Sequence, residues 1–302
     1  MVNAMVVFAP DPFLALFFRE LYDKNFKDEL DGLYAQVNGA NKEIVDFISD
    51  LYKDCFVIKH YDHSNQGIGF DELYKEIEGD VLATFCSDNF VFKKGIIKGF
   101  ADRIKNGEVD VVGSVGNHAS PPCMADKIVA KNGFVRFNPF MSFWNLKKLK
   151  EIDFTFQAYD MEQGDRIEEL DLDYNPPGRL DVMSGMTIKY LAKNKHHDII
   201  PPEDLPNYTH ASGLSSGVYG HLVENEEKNL AGTGRTFLES KCPIILIVWW
   251  KMIFDYTKDR CPLKDFNHKY EQAIKKRIES SKYSEKQIEI MANELRTQCG
   301  LI

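Results

Sequence analysis

The sequence has no long apolar run: its most apolar stretch, Cys242 to Trp250, is nine residues and ends at Lys251. A membrane-spanning helix needs about 20 residues, so this stretch is expected to be a core or interface segment. The N-terminus, Met1-Val2-Asn3-Ala4-Met5, has no basic region and no cleavage-site pattern, which argues against a signal peptide. Six cysteines (Cys55, Cys86, Cys123, Cys242, Cys261, Cys299) are scattered, with no Cys-x-x-Cys pair and no Cys/His cluster at zinc spacing. Reduced thiols in a cytoplasmic protein are the resulting expectation. Internal repeats and low-complexity tracts are missing too. A composition of 44% hydrophobic, 12% aromatic and 27% charged residues excludes a disordered or fibrous chain.

The net charge is −9 but unevenly spread. Cys242 to Ile302 carries 11 basic against 8 acidic residues, leaving 26 against 38 for the rest. General attraction to nucleic acid is therefore not expected, although the tail is mildly basic.

Short apolar runs alternate with helical patterns through the first 90 residues. Met5–Ala9, Leu33–Val37, Cys55–Ile58 and Val81–Cys86 read as strands. Helices are expected from Pro12, around Ile44 to Leu51, and over Phe70 to Ile77, with a loop from His60 to Gly69. This alternation predicts an α/β fold, a mostly parallel sheet with helices on both faces. Ligands of such sheets lie beyond the carboxyl ends of the strands. Pro10-Asp11, Asn38-Gly39, Asn65-Gln66-Gly67 and Asp88-Asn89 all fall at that edge. Further on, Val109–Gly113 and Asp198–Ile200 read as strands, Asn145–Lys150 as a short helix and Leu180–Lys193 as a longer one. Pro201 to Gly220 reads as a long loop carrying His210, and from Thr236 the pattern is helical to the end.

Asp88 follows a buried strand, where a carboxylate suits a hard divalent cation such as Mg²⁺ or Mn²⁺ that in turn holds a diphosphate. The alternative is an Asp-Asn turn that caps the next helix.

The ordered set Asn65-Gln66-Gly67, Gly79-Asp80, the strand Val81–Cys86 and then Ser87-Asp88-Asn89 resembles the GT-A fold of family 2 glycosyltransferases. Those proteins show an Asn-x-Gly loop, a helix, a Gly-Asp turn, an apolar strand and an Asp-x-Asp motif. Phe140 to Leu149 is similar to the segment beside their acceptor site. Leu180 to Lys193, then Tyr208-Thr209-His210, resembles their closing helix and a histidine that joins the metal site in some members. The resemblance covers roughly residues 3 to 217, leaving 218–302 as a flexible loop and a C-terminal helical region. Two departures stand out: Cys86 occupies the first acidic position of Asp-x-Asp, and Asn38 stands where relatives often have a base-contacting Asp.

The resemblance implies a glycosyltransferase that moves a sugar from a nucleoside-diphosphate sugar, with UDP favoured, to an acceptor hydroxyl, inverting and dependent on Mn²⁺ or Mg²⁺. Donor contacts are expected from Pro10, Asp11, Asn38, Asn65, Ser87, Asp88, Asn89 and, on a Gly-Thr-Gly-Arg segment, Arg235. Asn89 is expected to stand in for a further acidic position. Asp88 and His210 are the expected metal ligands. Asp181 is the expected general base, with an N-cap as its alternative role; Glu168, Glu169, Asp171 and Asp173 form a second carboxylate group. Trp144 and Phe143 are expected either to stack on an acceptor sugar or to fill the core. A glycan, a lipid-linked sugar, a protein or modified nucleic acid all suit the acceptor. The C-terminal helices are expected to pack on the main domain, to join two copies or to present basic and aromatic groups to an anionic acceptor. A sugar nucleotidyltransferase is the competing enzyme, but Ala9-Pro10-Asp11-Pro12 offers neither its glycine-rich loop nor its lysine. A non-catalytic nucleotide- or partner-binding protein of the same fold is the third reading, kept open by Cys86.

Overall fold

The computed structural model describes residues 1–62, 66–115, 137–157, 159–161, 166–167, 172–173, 178–180, 182–194, 196–200, 203–211, 214 and 244–301. Four strand–helix units open the chain. β1 (Val2–Phe8) leads to α1 (Pro12–Leu21), β2 (Gly32–Asn38) to α2 (Lys42–Leu51) and β3 (Phe56–His60) to α3 (Gln66–Lys75). β4 (Val81–Cys86) continues through a short β5 (Asn89–Val91) into α4 (Ile96–Lys105). β6 (Val111–Val115), β7 (Phe137–Asn145) and α5 (Leu146–Leu149) follow, then four short strands, β8 (Tyr159–Met161), β9 (Arg166–Ile167), β10 (Leu172–Asp173) and β11 (Gly178–Leu180). Next come α6 (Ser184–Lys193), β12 (His197–Ile200), β13 (Glu203–Asp204) and β14 (Tyr208–His210). Three helices close the chain: α7 (Ile244–Thr257), α8 (Lys264–Ser280) and α9 (Glu285–Gln298).

The central sheet has seven strands in the order β12-β6-β7-β4-β1-β2-β3. β7 is antiparallel to both its neighbours and every other pair is parallel. This is the mixed, mostly parallel sheet expected from the resemblance, with helices on both faces and a helical C-terminal segment. The two parallel strands at its centre, β1 and β4, are covered on both faces and read as near-continuous apolar runs; all seven residues of β1 and all six of β4 are buried.

Three local readings change. α3 starts at Gln66, four residues before the expected start, and so runs through Gly67 and Gly69. Both glycines are there for space. A Cβ at Gly69 would stand 1.7 Å from Gln36 Oε1, and one at Gly67 would stand 2.5 Å from Gln157 Cα. The region around Phe140 to Asn145 is a full central strand, β7, preceding a helix of only one turn. Within the stretch expected to be loop, Tyr208–His210 forms a strand that pairs with β5.

The apolar run at the start of α7 is consumed inside the chain. Leu246 to Trp250, Met252, Ile253 and Phe254 are all buried. Phe254 meets Phe13 of α1 edge-on with centroids 5.1 Å apart, and stacks on Tyr270 of α8 at 5.4 Å. Edge-on and offset stacks of this kind add about 0.5–1.5 kcal/mol each to the apolar burial. No helix of the described residues is long and apolar enough to cross a membrane. Cys55, Cys86, Cys261 and Cys299 are free thiols.

Candidate active site

Sequence order in the sheet reverses between β1 and β4: the chain steps outward from β1 to β2 and β3, then returns to β4 on the other side. At such a switch point the loops leaving the two strands diverge and open a crevice beyond their carboxyl ends. β4 ends there at Cys86, and Ser87 and Asp88 form the turn into β5. The ladder between β4 and β7 runs only from Val81↔Asn145 to Thr84↔Ser142, stopping two residues short of Cys86. β7 departs at Met141, whose φ of 52° is unusual for a residue with a side chain.

Asp88 and His210 meet in this turn. β14 lies antiparallel to β5 with His210 opposite Asn89, Thr209 opposite Phe90 and Tyr208 opposite Val91. The Ala211 N–H donates to the Asp88 carbonyl at 3.1 Å, fixing the chain just past the histidine. His210 Nε2 consequently stands 3.4 Å from Asp88 Oδ1, with both side chains largely withdrawn from solvent. Two ligands about 2.1–2.2 Å from one cation and at right angles to each other stand about 3 Å apart, so this spacing suits a shared divalent ion. Among the described residues no group of three or more His, Cys, Asp or Glu could hold a metal. A carboxylate and an imidazole therefore make a two-ligand protein set. Such a set fits Mn²⁺ or Mg²⁺ in sites where substrate phosphates and water complete the shell.

Several contacts brace this turn from below. Asn89 Oδ1 accepts the Cys86 N–H at 2.7 Å, and Asn25 Nδ2 donates to the Val91 carbonyl at 2.8 Å. Phe90 packs on Trp249 of α7 with centroids 5.4 Å apart. The neighbouring Trp250 donates its indole N–H to the Leu214 carbonyl at 3.2 Å, beyond His210 on the other arm. Adjacent tryptophans of one helix thus hold both segments that carry the pair.

A second polar cluster lies at the ends of β2 and β3. Asn38 Nδ2 donates to Gln36 Oε1 at 3.4 Å, Gln36 Nε2 to Glu72 Oε2 at 3.2 Å, and His60 Nε2 is 2.7 Å from the same Glu72 oxygen. Only Asn38 was expected here; His60, at the end of β3, is partly buried against Glu72. The available signal was Gln36 itself, a polar residue inside the apolar run Leu33 to Val37 and fully buried.

Three residues expected to make contacts have structural partners. Asp11 is 1% exposed, and its carboxylate accepts the Phe13 and Leu14 N–H groups at 2.9 and 3.0 Å as the N-cap of α1. Tyr270 of α8 donates to its other oxygen at 3.4 Å. Burial raises this carboxyl to about 6 against those hydrogen bonds. Asp11 therefore caps a helix and anchors the C-terminal segment. Pro10 is likewise buried, packed so close to Gly39 that a Cβ there would meet its ring at 2.6 Å. Trp144 is fully buried, edge-on to Tyr190 at 5.1 Å and to Phe137 at 5.7 Å, and offers no face to a sugar. Phe143 is equally buried, on the opposite side of the sheet. Ser87 is buried within the turn. Asn65, Asp181, Arg235, Glu168, Glu169 and Asp171 lie outside the described residues, and of Asp173 only the backbone in β10 is described. The residues beside Asp181 are informative: Met183, leading into α6, has φ of 65° and donates its N–H to the Phe156 carbonyl at 2.9 Å.

No family model and no curated protein matches the chain. Among solved structures, it is similar to S. aureus TarS 1-349 in complex with UDP-GlcNAc, at 14% identity and a TM-score of 0.42, over 69% of this chain and 57% of that one. It is also similar to glucosyl-3-phosphoglycerate synthase from Mycobacterium tuberculosis with Mn²⁺, UDP and glucosyl-3-phosphoglycerate, at 10% identity and a TM-score of 0.46, over 67% and 69% of the two chains. The chain thus spans little more than half the length of the TarS chain, 57%.

Proposed function

We propose that this protein is a glycosyltransferase that takes a sugar from a nucleoside-diphosphate sugar, UDP being the favoured nucleotide, and passes it to an acceptor hydroxyl with inversion. The observation that carries this reading is the meeting of Asp88 and His210 at the switch point of the sheet. These two residues would hold Mn²⁺ or Mg²⁺, which when bound supplies neutralisation of the negative charge building on the departing nucleoside diphosphate. Asn38, with Gln36 and Glu72 behind it, presents hydrogen-bonding groups suited to the edge of a base at the ends of β2 and β3. Asp181, immediately before the turn at Val182 and Met183, is the proposed base that takes the proton from the acceptor hydroxyl. Inversion by direct displacement needs no enzyme nucleophile, so Asp181 and the pair at Asp88 divide the work between acceptor and leaving group.

Slow hydrolysis of the donor without acceptor tests this. UDP-, GDP-, CDP- and dTDP-sugars are incubated with the protein and Mn²⁺, and free nucleoside diphosphate is measured. Release is expected from a UDP-sugar with Mn²⁺ present, and should be lost in EDTA and in Asp88→Ala. Release that survives both treatments would remove the metal assignment. Nucleotide binding without any release would favour the non-catalytic reading that Cys86 keeps open.

A further inference from the structure

Cys86 stands where an acidic ligand would complete a two-acid motif, and Asn89 was the residue expected to compensate by supplying oxygen. The geometry gives it the opposite polarity. Asn89 is 1% exposed, and its Oδ1 accepts the Cys86 N–H at 2.7 Å. A backbone N–H needs an acceptor, so this bond fixes which way the amide is turned and leaves the NH₂ group pointing onward. Nδ2 has no hydrogen-bond partner among the described residues. His210 lies directly opposite Asn89 in the β5–β14 pair, so their side chains share one face. Phe90, between Asn89 and Val91, points to the other face and packs on Trp249. The amide thus emerges on the side where Asp88 and His210 stand 3.4 Å apart. An NH₂ group has no lone pair to give a cation. Left unpaired in a buried site it costs about 1–3 kcal/mol, and an anionic oxygen is its best partner.

We propose that Asn89 Nδ2 donates a hydrogen bond to a non-bridging oxygen of the donor diphosphate. Charge at this site is then met by one carboxylate-held cation and a neutral amide, in place of a second acid. The assignment rests on the nucleotide-sugar reading above.

Asn89→Asp tests it, because the carboxylate keeps an oxygen for the Cys86 N–H while replacing the donor by a negative acceptor of nearly the same shape. Calorimetric titrations measure Mn²⁺ alone, and then UDP at saturating Mn²⁺, for the parent, Asn89→Asp and Asn89→Ala. Asn89→Asp is expected to bind Mn²⁺ at least as well as the parent, which also shows that the turn is intact; Asn89→Ala, which loses the acceptor of the Cys86 N–H, is compared for UDP at its own saturating Mn²⁺. UDP should bind about tenfold or more weakly to each, and most weakly to Asn89→Asp. UDP affinity in Asn89→Asp equal to or above that of the parent would overturn the proposal. So would loss of Mn²⁺ binding together with UDP in both variants, since the amide would then serve only the turn. If the parent itself binds Mn²⁺ but no nucleoside diphosphate, the donor reading fails at its root, a result separable from the other two.

Discussion

On one face of the sheet, α1, α2 and α4 join α7, α8 and α9 in a single apolar cluster that reaches from Val6 and Phe85 out to Ile288 and Leu295. On the other, α3, α5 and α6 cover a smaller cluster built around Trp144, Phe70, Phe156 and Tyr190. The site leans on the first of these. Phe90 and Leu214, flanking Asp88 and His210 in sequence, belong to the larger cluster and reach α7 through Trp249 and Trp250. The smaller face holds the segment that leads into α6. There Asp71 of α3 accepts from the Phe156 N–H at 2.7 Å and the Gln157 amide at 2.8 Å, pinning the segment that in turn receives the Met183 N–H. The C-terminal helices are therefore part of the scaffold of the candidate metal pair, whereas Trp144 takes the second of its two expected roles, as a core residue of the other face.

Replacing one tryptophan on each face separates these roles. Trp249→Ala and Trp144→Ala should each cost about 3–5 kcal/mol of stability by urea unfolding, as large core truncations do. Under conditions where both remain folded, Mn²⁺ binding should weaken only in Trp249→Ala. Equal loss in both would mean that α7 has no particular tie to the site.

Asp11 gives a smaller, pH-dependent contrast within the larger cluster. Its carboxyl is raised from 3.8 to about 6 by burial. A raised acid contributes stability that is fully present below its unfolded value and lost as pH rises through the folded one. Asp11→Asn keeps an oxygen to cap α1 but carries no titrating charge. Relative to the parent it should gain about 1–3 kcal/mol between pH 4 and pH 7, and change little below pH 4. Thermal unfolding across that range checks the slope, and a flat difference would show that Asp11 is not the buried acid. The smallest effect is expected at Thr209, whose buried hydroxyl oxygen has no hydrogen-bond partner among the described residues. Thr209→Val should shift stability by less than about 1 kcal/mol, in the stabilising direction.

What the sequence reveals follows from how local each cause is. β1 to β4 are readable because every apolar run is bracketed by turn residues, and β4 falls at the expected positions, Val81 to Cys86. Asp88 is readable for the same reason, being the first carboxylate after that run. The strand carrying His210 is not, because three residues show no period; the resemblance alone drew attention to the histidine. The early start of α3 is hidden by two glycines that normally weaken a helix but here admit Gln36 and Gln157. Phe143 and Trp144 could be read two ways because nothing local shows that their strand is central, with both faces covered. The fate of Asp11 depends on Tyr270, 259 residues away, and no local pattern records such a contact.

The central claim is that Asp88 and His210 hold a cation to which a nucleoside diphosphate binds. Its most direct test is the melting temperature of the parent and of Asp88→Asn with UDP, with Mn²⁺, and with both. A ligand that binds only the folded state raises the transition with the logarithm of its excess over Kd. The parent should rise clearly with UDP and Mn²⁺ together, little with UDP alone, and Asp88→Asn should show no added rise from the pair. An equal rise in Asp88→Asn would contradict the claim.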